Sequence, residues 1–225
     1  MQELVLAMLL SVAPFLSGCS CLNWMAYVAA PAAPTKTIDP SYTGLKGKTV
    51  AIVILAGPNV LLDYQTIQLE MSDAIAAELR GKLGNVTIVN PMRVIRYQDE
   101  NPRWEAQPPE RLCATFGADA VLLVTIIDFS TREPGSAHLT RGRVLAEASV
   151  YTAAKDHGSP TATTPAGGAS AGQPVWRSQQ LAVMYPAESP LGLPTGDDRP
   201  IRLKTCQIFA QELVQSFYAH KGPKE

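Results

Sequence analysis

The chain has 225 residues, with 19 Lys and Arg against 20 Asp and Glu, a formal net charge of −1, and four cysteines. So even a balance excludes the basic excess a nucleic-acid partner would need, and it gives no pull toward anionic lipid. The length suits one domain of ordinary size with a leader and a linker.

Leu4 to Phe15 is an apolar run broken only by Ser11 and Pro14. A bilayer span needs roughly 20 apolar residues, so the run is read as the core of a signal peptide. Met1-Gln2-Glu3 ahead of it carries no Lys or Arg, a departure from the usual positively charged start. Leu16-Ser17-Gly18-Cys19 follows directly and resembles the lipobox of bacterial lipoproteins. The resemblance implies that residues 1–18 are removed and that the thiol of Cys19 carries a diacylglycerol, with palmitate-type acyl chains holding the protein at a membrane. Two or more chains give stable residence where one does not. In Gram-negative relatives an Asp after the lipidated cysteine favours the inner membrane. Ser20 stands here, so the expected place is the periplasmic side of the cell outer membrane, with the inner membrane as the alternative.

Residues 19–46 form a tether rich in Ala and Pro, including Ala29-Ala30-Pro31-Ala32-Ala33-Pro34. This composition buries little apolar surface and favours extended, stiff linkers. Trp24 and Tyr27 suit the membrane interface, and Cys21 has no partner at zinc spacing.

The folded domain is expected over residues 47–220. Thr49 to Leu55 is a continuous β-branched run, the pattern of a strand covered on both faces, closed by Gly57-Pro58. A helix is predicted from about Asp63, its cap, with Ile67, Met71, Ile75, Leu79 and Leu83 in one stripe. Gly84-Asn85 stops it. Val86 to Val89 reads as a second strand ended by Asn90-Pro91. Met92 to Glu105 is mixed and broken at Asn101-Pro102. Pro108-Pro109 opens a short helix with Leu112, Cys113 and Phe116 inward.

Ala120 to Phe129 is the most hydrophobic strand and belongs at the centre of the sheet. Arg143 to Tyr151 alternates, with Val144, Ala146, Ala148 and Val150 on one face and Glu147 and Ser149 on the other. Residues 156–173, dense in Gly, Ser, Thr, Pro and Ala, make a loop. Val175 to Tyr185 resumes strand character. Asp197-Asp198 and Pro200 introduce a last helix with Ile201, Phe209, Leu213 and Phe217 inward. The order implies an α/β (α+β) fold: a mixed sheet of about five strands, parallel at the front and antiparallel later, with three helices packed against it.

Lys48-Thr49-Val50-Ala51-Ile52-Val53, the helix from Ile67 to Leu83, Gly117-Ala118-Asp119-Ala120-Val121-Leu122 and Val175-Trp176-Arg177 together resemble the envelope-lipoprotein domains similar to the TolB amino-terminal domain. Curli secretion pores and lipoprotein activators of penicillin-binding proteins share that fold type. The resemblance implies protein–protein work without catalysis, with another envelope protein as partner and an oligomer as one option. A ring-forming secretion-pore subunit is the alternative, although no paired hairpins with lipid-facing alternation are found. A hydrolytic enzyme is a further alternative.

Candidate chemistry is sparse. His138, His157 and His220 have no neighbour at metal-ligand spacing, so neither metal nor cofactor is expected. Asp128, Ser130 and His138 offer the residue types of a triad but lack the Gly-x-Ser-x-Gly turn. Asp99-Glu100 and Asp197-Asp198 are adjacent, so their carboxylates diverge, and the second pair suits helix capping. Gly167-Gly168 lacks the strand and helix a phosphate cradle requires. Cys113 and Cys206 are either a disulfide pair or two reduced buried thiols. Trp104 is a partner contact if exposed and core filling if buried, and Trp176 is read as core.

Overall fold

The computed structural model describes residues 35–136, 138–153, 173–187, 193–194 and 197–223. The expected signal peptide, Leu16, Ser17, Gly18 and Cys19, most of the expected tether and all but Gln173 of the expected 156–173 loop lie outside the described residues. In chain order the first elements are β1 (Thr35–Ile38), β2 (Thr49–Ala56), α1 (Pro58–Asp63), α2 (Ile67–Leu83) and β3 (Thr87–Ile88). Then come α3 (Pro91–Glu100), a 3-10 turn at Trp104–Ala106, α4 (Pro109–Phe116), β4 (Ala120–Arg132) and β5 (Leu139–Thr152). The last are β6 (Trp176–Arg177), β7 (Leu181–Tyr185), β8 (Leu193–Pro194), α5 (Arg199–Gln215) and β9 (His220–Pro223). Residues 38–220 form one compact unit; the ends form another, where β1 pairs with β9.

The sheet of the large unit runs β3-β2-β4-β5, and β6, β7 and β8 each pair with a different stretch of β5. β2 is parallel to β3 and to β4, whereas β4 and everything beyond it are antiparallel. This is the expected mixed α/β sheet. It has seven strands among the described residues, because the stretch from Val175 to Tyr185 divides into β6 and β7 and because β8 adds a rung near the hairpin end.

β2 alternates between two cores, which is why its sequence is apolar without a break. Val50, Ile52 and Ile54 face an inner layer with Ile67, Met71, Ile75 and Leu79 of α2 and Phe209 and Leu213 of α5. Ala51 and Val53 face an outer layer with Val94 of α3 and Leu112, Cys113 and Phe116 of α4. The four α2 side chains are each 0 % exposed, and complete burial of such residues contributes roughly 1.5–3 kcal/mol apiece. β4 is central as predicted, with Leu122 and Val124 at 0 % exposure.

Five α-helices stand among the described residues where three were expected. The stretch from Met92 onward is helical because Asn90 and Pro91 open a helix. The Asn90 side chain accepts the Met92 N–H at 2.9 Å, and Pro91 occupies the first turn, where its missing donor costs nothing. Gly57-Pro58 likewise starts α1 directly after the strand. Asp63 ends α1 and does not cap α2, whose N-cap is Thr66.

Two further features set the geometry of the domain. A register slip between Ile126 and Asp128 inserts Ile127 as an extra residue in β4. The slip inverts the strand's phase, so Phe129 enters the inner core with Val144. Gly142 of β5 lies under α5: a Cβ there would collide with Thr205 Oγ1 and lie 3.0 Å from Thr205 Cβ and 3.1 Å from Ile201 Cγ2.

Candidate functional site

In open α/β sheets, ligands gather at the carboxyl ends of the strands, where successive crossovers leave in opposite directions. Here the chain leaves β2 for α2 on the inner layer and returns from β3 to β4 through α3 and α4 on the outer layer. The divergence opens a groove of about 710 Å³ between the ends of β2 and β4. Leu55, Pro58, Leu61, Leu62 and Ile126 make it mainly apolar, and Glu105 is the one ionisable side chain on its lining. Leu62 is 78 % exposed, unusual for a leucine of this size.

One wall of the groove is α1, fixed by polar contacts at its end. The Tyr64 hydroxyl accepts the Thr131 N–H at 2.9 Å and donates to Thr131 Oγ1 at 3.1 Å, while its ring meets Phe129 edge-on at 5.0 Å. Thr131 Oγ1 donates in turn to Asp198 Oδ2 at 2.9 Å. Arg202 binds Asp198 through Nη1 at 3.1 Å and forks onto Glu70 through Nε and Nη2 at 2.6 and 3.1 Å. The carboxylates raise the Arg202 pKa above its ordinary value, so the fork stays charged. α1, α2, β4 and α5 are tied at one point, and Leu61 and Leu62 stand on a braced element.

The end of β2 is closed by side chains in place of a strand. Ile54 carbonyl accepts from Gln68 Nε2 and Gln98 Nε2, both at 3.0 Å, beyond the point where two-residue β3 has stopped. Gln98 is buried, and its Oε1 has no hydrogen-bond partner among the described residues.

From the groove the outer sheet face continues past the reach of α3 and α4. Leu123, Thr125 and Leu145 are half-buried there, while Ile127 and Met184 are 47 % and 43 % exposed. The ladder register brings Asp128, Leu145 and Ala182 into one row and Ser130, Arg143 and Met184 into the next. The result is an apolar strip edged by charges of both signs, the composition of a protein-contact surface more than of a reaction centre.

The sequence-predicted residues are scattered around this region and are not gathered in it. Trp104 is 7 % exposed and packs with Val53, Val94 and Cys113 in the outer core, so it is core filling and not a partner contact. Cys113 and Cys206 are both free and 0 % exposed. They belong to different cores, on opposite faces of the sheet, which rules out the pairing. Burial pushes their thiols up to about 11 and about 12, keeping them protonated and unreactive.

Asp128 is exposed and off the groove lining, Ser130 Oγ is engaged with the Arg132 backbone, and no hydrogen bond joins either to His138 among the described residues. Asp198 is the N-cap residue of α5 but makes no side-chain cap bond; Asp197, one residue earlier, accepts the Arg199 N–H at 3.0 Å. Trp176 is half-buried, edge-on to Phe217 at 4.9 Å, with its indole N–H donating to Ser41 Oγ. No group of three His, Cys, Asp or Glu converges among the described residues, and none of their helices is long and apolar enough to cross a membrane.

The groove and the bare face went unpredicted. Pro58 directly after Gly57, a first-turn proline, was the available signal for α1 and its exposed leucines. Ile127 carried no comparable signal, because only the phase slip turns it outward.

The sequence matches no protein-family model and no curated protein. Solved structures of similar chain path include a lipoprotein, GNA1162 from Neisseria meningitidis, at 16 % identity, covering 74 % of this chain and 95 % of that one with a TM-score of 0.44. A PelC dodecamer from Paraburkholderia phytofirmans is similar at 9 % identity, covering 84 % of this chain and 99 % of that one with a TM-score of 0.45. At such scores and identities neither likeness bears on what this chain does.

Proposed function

We propose that this chain is an envelope lipoprotein, anchored through acyl chains on Cys19, whose domain works without catalysis by binding another envelope protein. The observation that carries the reading is Leu16-Ser17-Gly18-Cys19, placed directly after the apolar run Leu4 to Phe15 and ahead of an Ala/Pro tether. The resemblance to TolB-type lipoprotein domains and the outer sheet face support the protein-binding part. That face presents Ile127 and Met184 to solvent and Leu62 stands on the groove beside it, larger apolar exposure than scattered surface residues require. Ser20 after the cysteine favours the periplasmic side of the outer membrane.

Growth of an expressing bacterium with labelled palmitate tests the anchor. The full chain is expected to take up label, to lose it on Cys19→Ala, and to accumulate as a longer precursor under globomycin. Full labelling of the Cys19→Ala chain, or an unlabelled full-length product in the cytoplasm, overturns the reading. For the binding face, a photo-crosslinking residue at Ile127 is expected to trap a discrete envelope partner. The same residue at Asp73, an exposed position of α2 on the inner layer, is expected to trap none. Equal trapping at both positions removes the face from the proposal.

A further inference from the structure

β7 is the outermost strand along the middle of the long hairpin. It pairs with β5 on one side, and among the described residues no strand pairs with its other side. The register identifies the backbone groups left over. Ser178 N–H donates to Ala148 carbonyl at 2.8 Å, so Ala148 turns its backbone groups away from β4 and toward the edge. β5 runs without a slip against β7, so Gly142, Val144 and Ala146 turn the same way, opposite Tyr185, Val183 and Leu181. The N–H and C=O of Ala182 and Met184 therefore point outward from the sheet.

Exposed edges in natural sheets are usually blunted by lysine, an inward-pointing charge, an internal proline or a bulge. Leu181-Ala182-Val183-Met184-Tyr185 contains none of these. Its order also suits pairing with itself. A two-fold axis at Val183 sets two copies antiparallel, with Ala182 opposite the second copy's Met184, a small side chain against a long one on the outer face. Leu181 then lies opposite the second copy's Tyr185 on the inner face, an aliphatic–aromatic pair of the kind that stabilises sheets. In this register every outward backbone group finds a partner: two close pairs, each exchanging two N–H···O=C bonds. A register one residue away would lay outward-facing residues against inward-facing ones and make none of these bonds.

We propose that β7 is a self-association edge, through which two copies of this chain join their sheets into one around an isologous two-fold contact. The charges nearest the edge leave it open to a second copy. Arg141, Arg143 and Glu147 all stand on β5, one strand back from the seam, and β7 itself carries no charged side chain, so no charge lies directly against its own image. The contact is independent of the acyl anchor and of Ile127, and although Met184 belongs to both the edge and the outer face, failure of the edge contact would leave the proposed function standing.

The test is sedimentation equilibrium of the full chain in density-matched detergent at micromolar concentration. The wild type is expected to give the mass of two chains; a single-chain mass overturns the proposal. Ala182→Pro deletes only an outward N–H, a change edge strands tolerate, and with it two of the four bonds; it is expected to weaken the dimer about tenfold or more. Ala182→Lys/Met184→Lys places like charges opposite each other at two exposed positions and is expected to give monomers with an unchanged urea midpoint. A dimer or larger assembly that both variants leave intact overturns the assignment to β7.

Discussion

Gly142→Ala is the sharpest test of how α5 is seated on the sheet. The added methyl carbon would collide with Thr205 Oγ1, a side chain at 0 % exposure whose hydroxyl donates to Ile201 carbonyl at 2.8 Å. Rotating that hydroxyl away breaks its hydrogen bond, a loss of about 1 kcal/mol. It also leaves Thr205 Cβ and Ile201 Cγ2 at 3.0 and 3.1 Å, closer than carbon atoms pack. α5 must then lift, loosening Phe209 and Leu213 beneath it, and overpacking of this kind costs roughly 1–3 kcal/mol. The sum is a destabilisation of about 2–4 kcal/mol, or roughly 5–15 °C in Tm for a domain of this size. Urea unfolding followed by circular dichroism measures it, with Thr205→Ala and the double variant completing a cycle. Removing the Thr205 hydroxyl and methyl is expected to recover at least about 1 kcal/mol of the Gly142→Ala loss. A Gly142→Ala chain as stable as wild type, or strict additivity in the cycle, would refute the close approach.

Two other outcomes can be measured. Glu212 is an exposed position of α5, where partial desolvation raises its pKa above the ordinary carboxylate value, so the folded state slightly disfavours its ionised form and loses a little stability as pH rises through that range. Glu212→Gln is therefore expected to raise Tm at neutral pH, with the gain shrinking toward zero below the ordinary carboxylate range; a gain that grows on acidification contradicts this sign. Trp104→Ala is expected to cost about 3–5 kcal/mol in urea unfolding, as a core truncation does. A surface role would leave stability within about 0.5 kcal/mol of wild type.

Much of the inner layer was legible because its residues obey a single period. Ile67, Met71, Ile75 and Leu79 recur every four residues, and all four are buried. Ile201, Phe209, Leu213 and Phe217 also lie where their spacing puts them. The shorter helices were read less well. Asn90-Pro91 and Gly57-Pro58 serve equally as strand ends and as helix starts, and here they do both at once. Only the neighbouring sheet, which needs Val94 and Val60 for cover, decides for the helix. Trp104 was undecided for a related reason: an indole fits a rim or a core, and its place depends on α3 and α4 closing around it.

By itself the sequence determined what periodicity, composition and short motifs encode. These are the doubly covered β2, the central β4, the two long inner helices, the Ala/Pro-rich composition after Cys19 and the lipobox likeness at that residue. Tertiary structure decided whatever depends on two segments meeting. It put Cys113 and Cys206 on opposite faces, turned Phe129 inward and Ile127 outward through one inserted residue, and left the β7 edge and half of the outer face uncovered among the described residues. A period of two or 3.6 residues fixes which side chains share a face, but which element covers that face is set by packing between residues far apart in the chain.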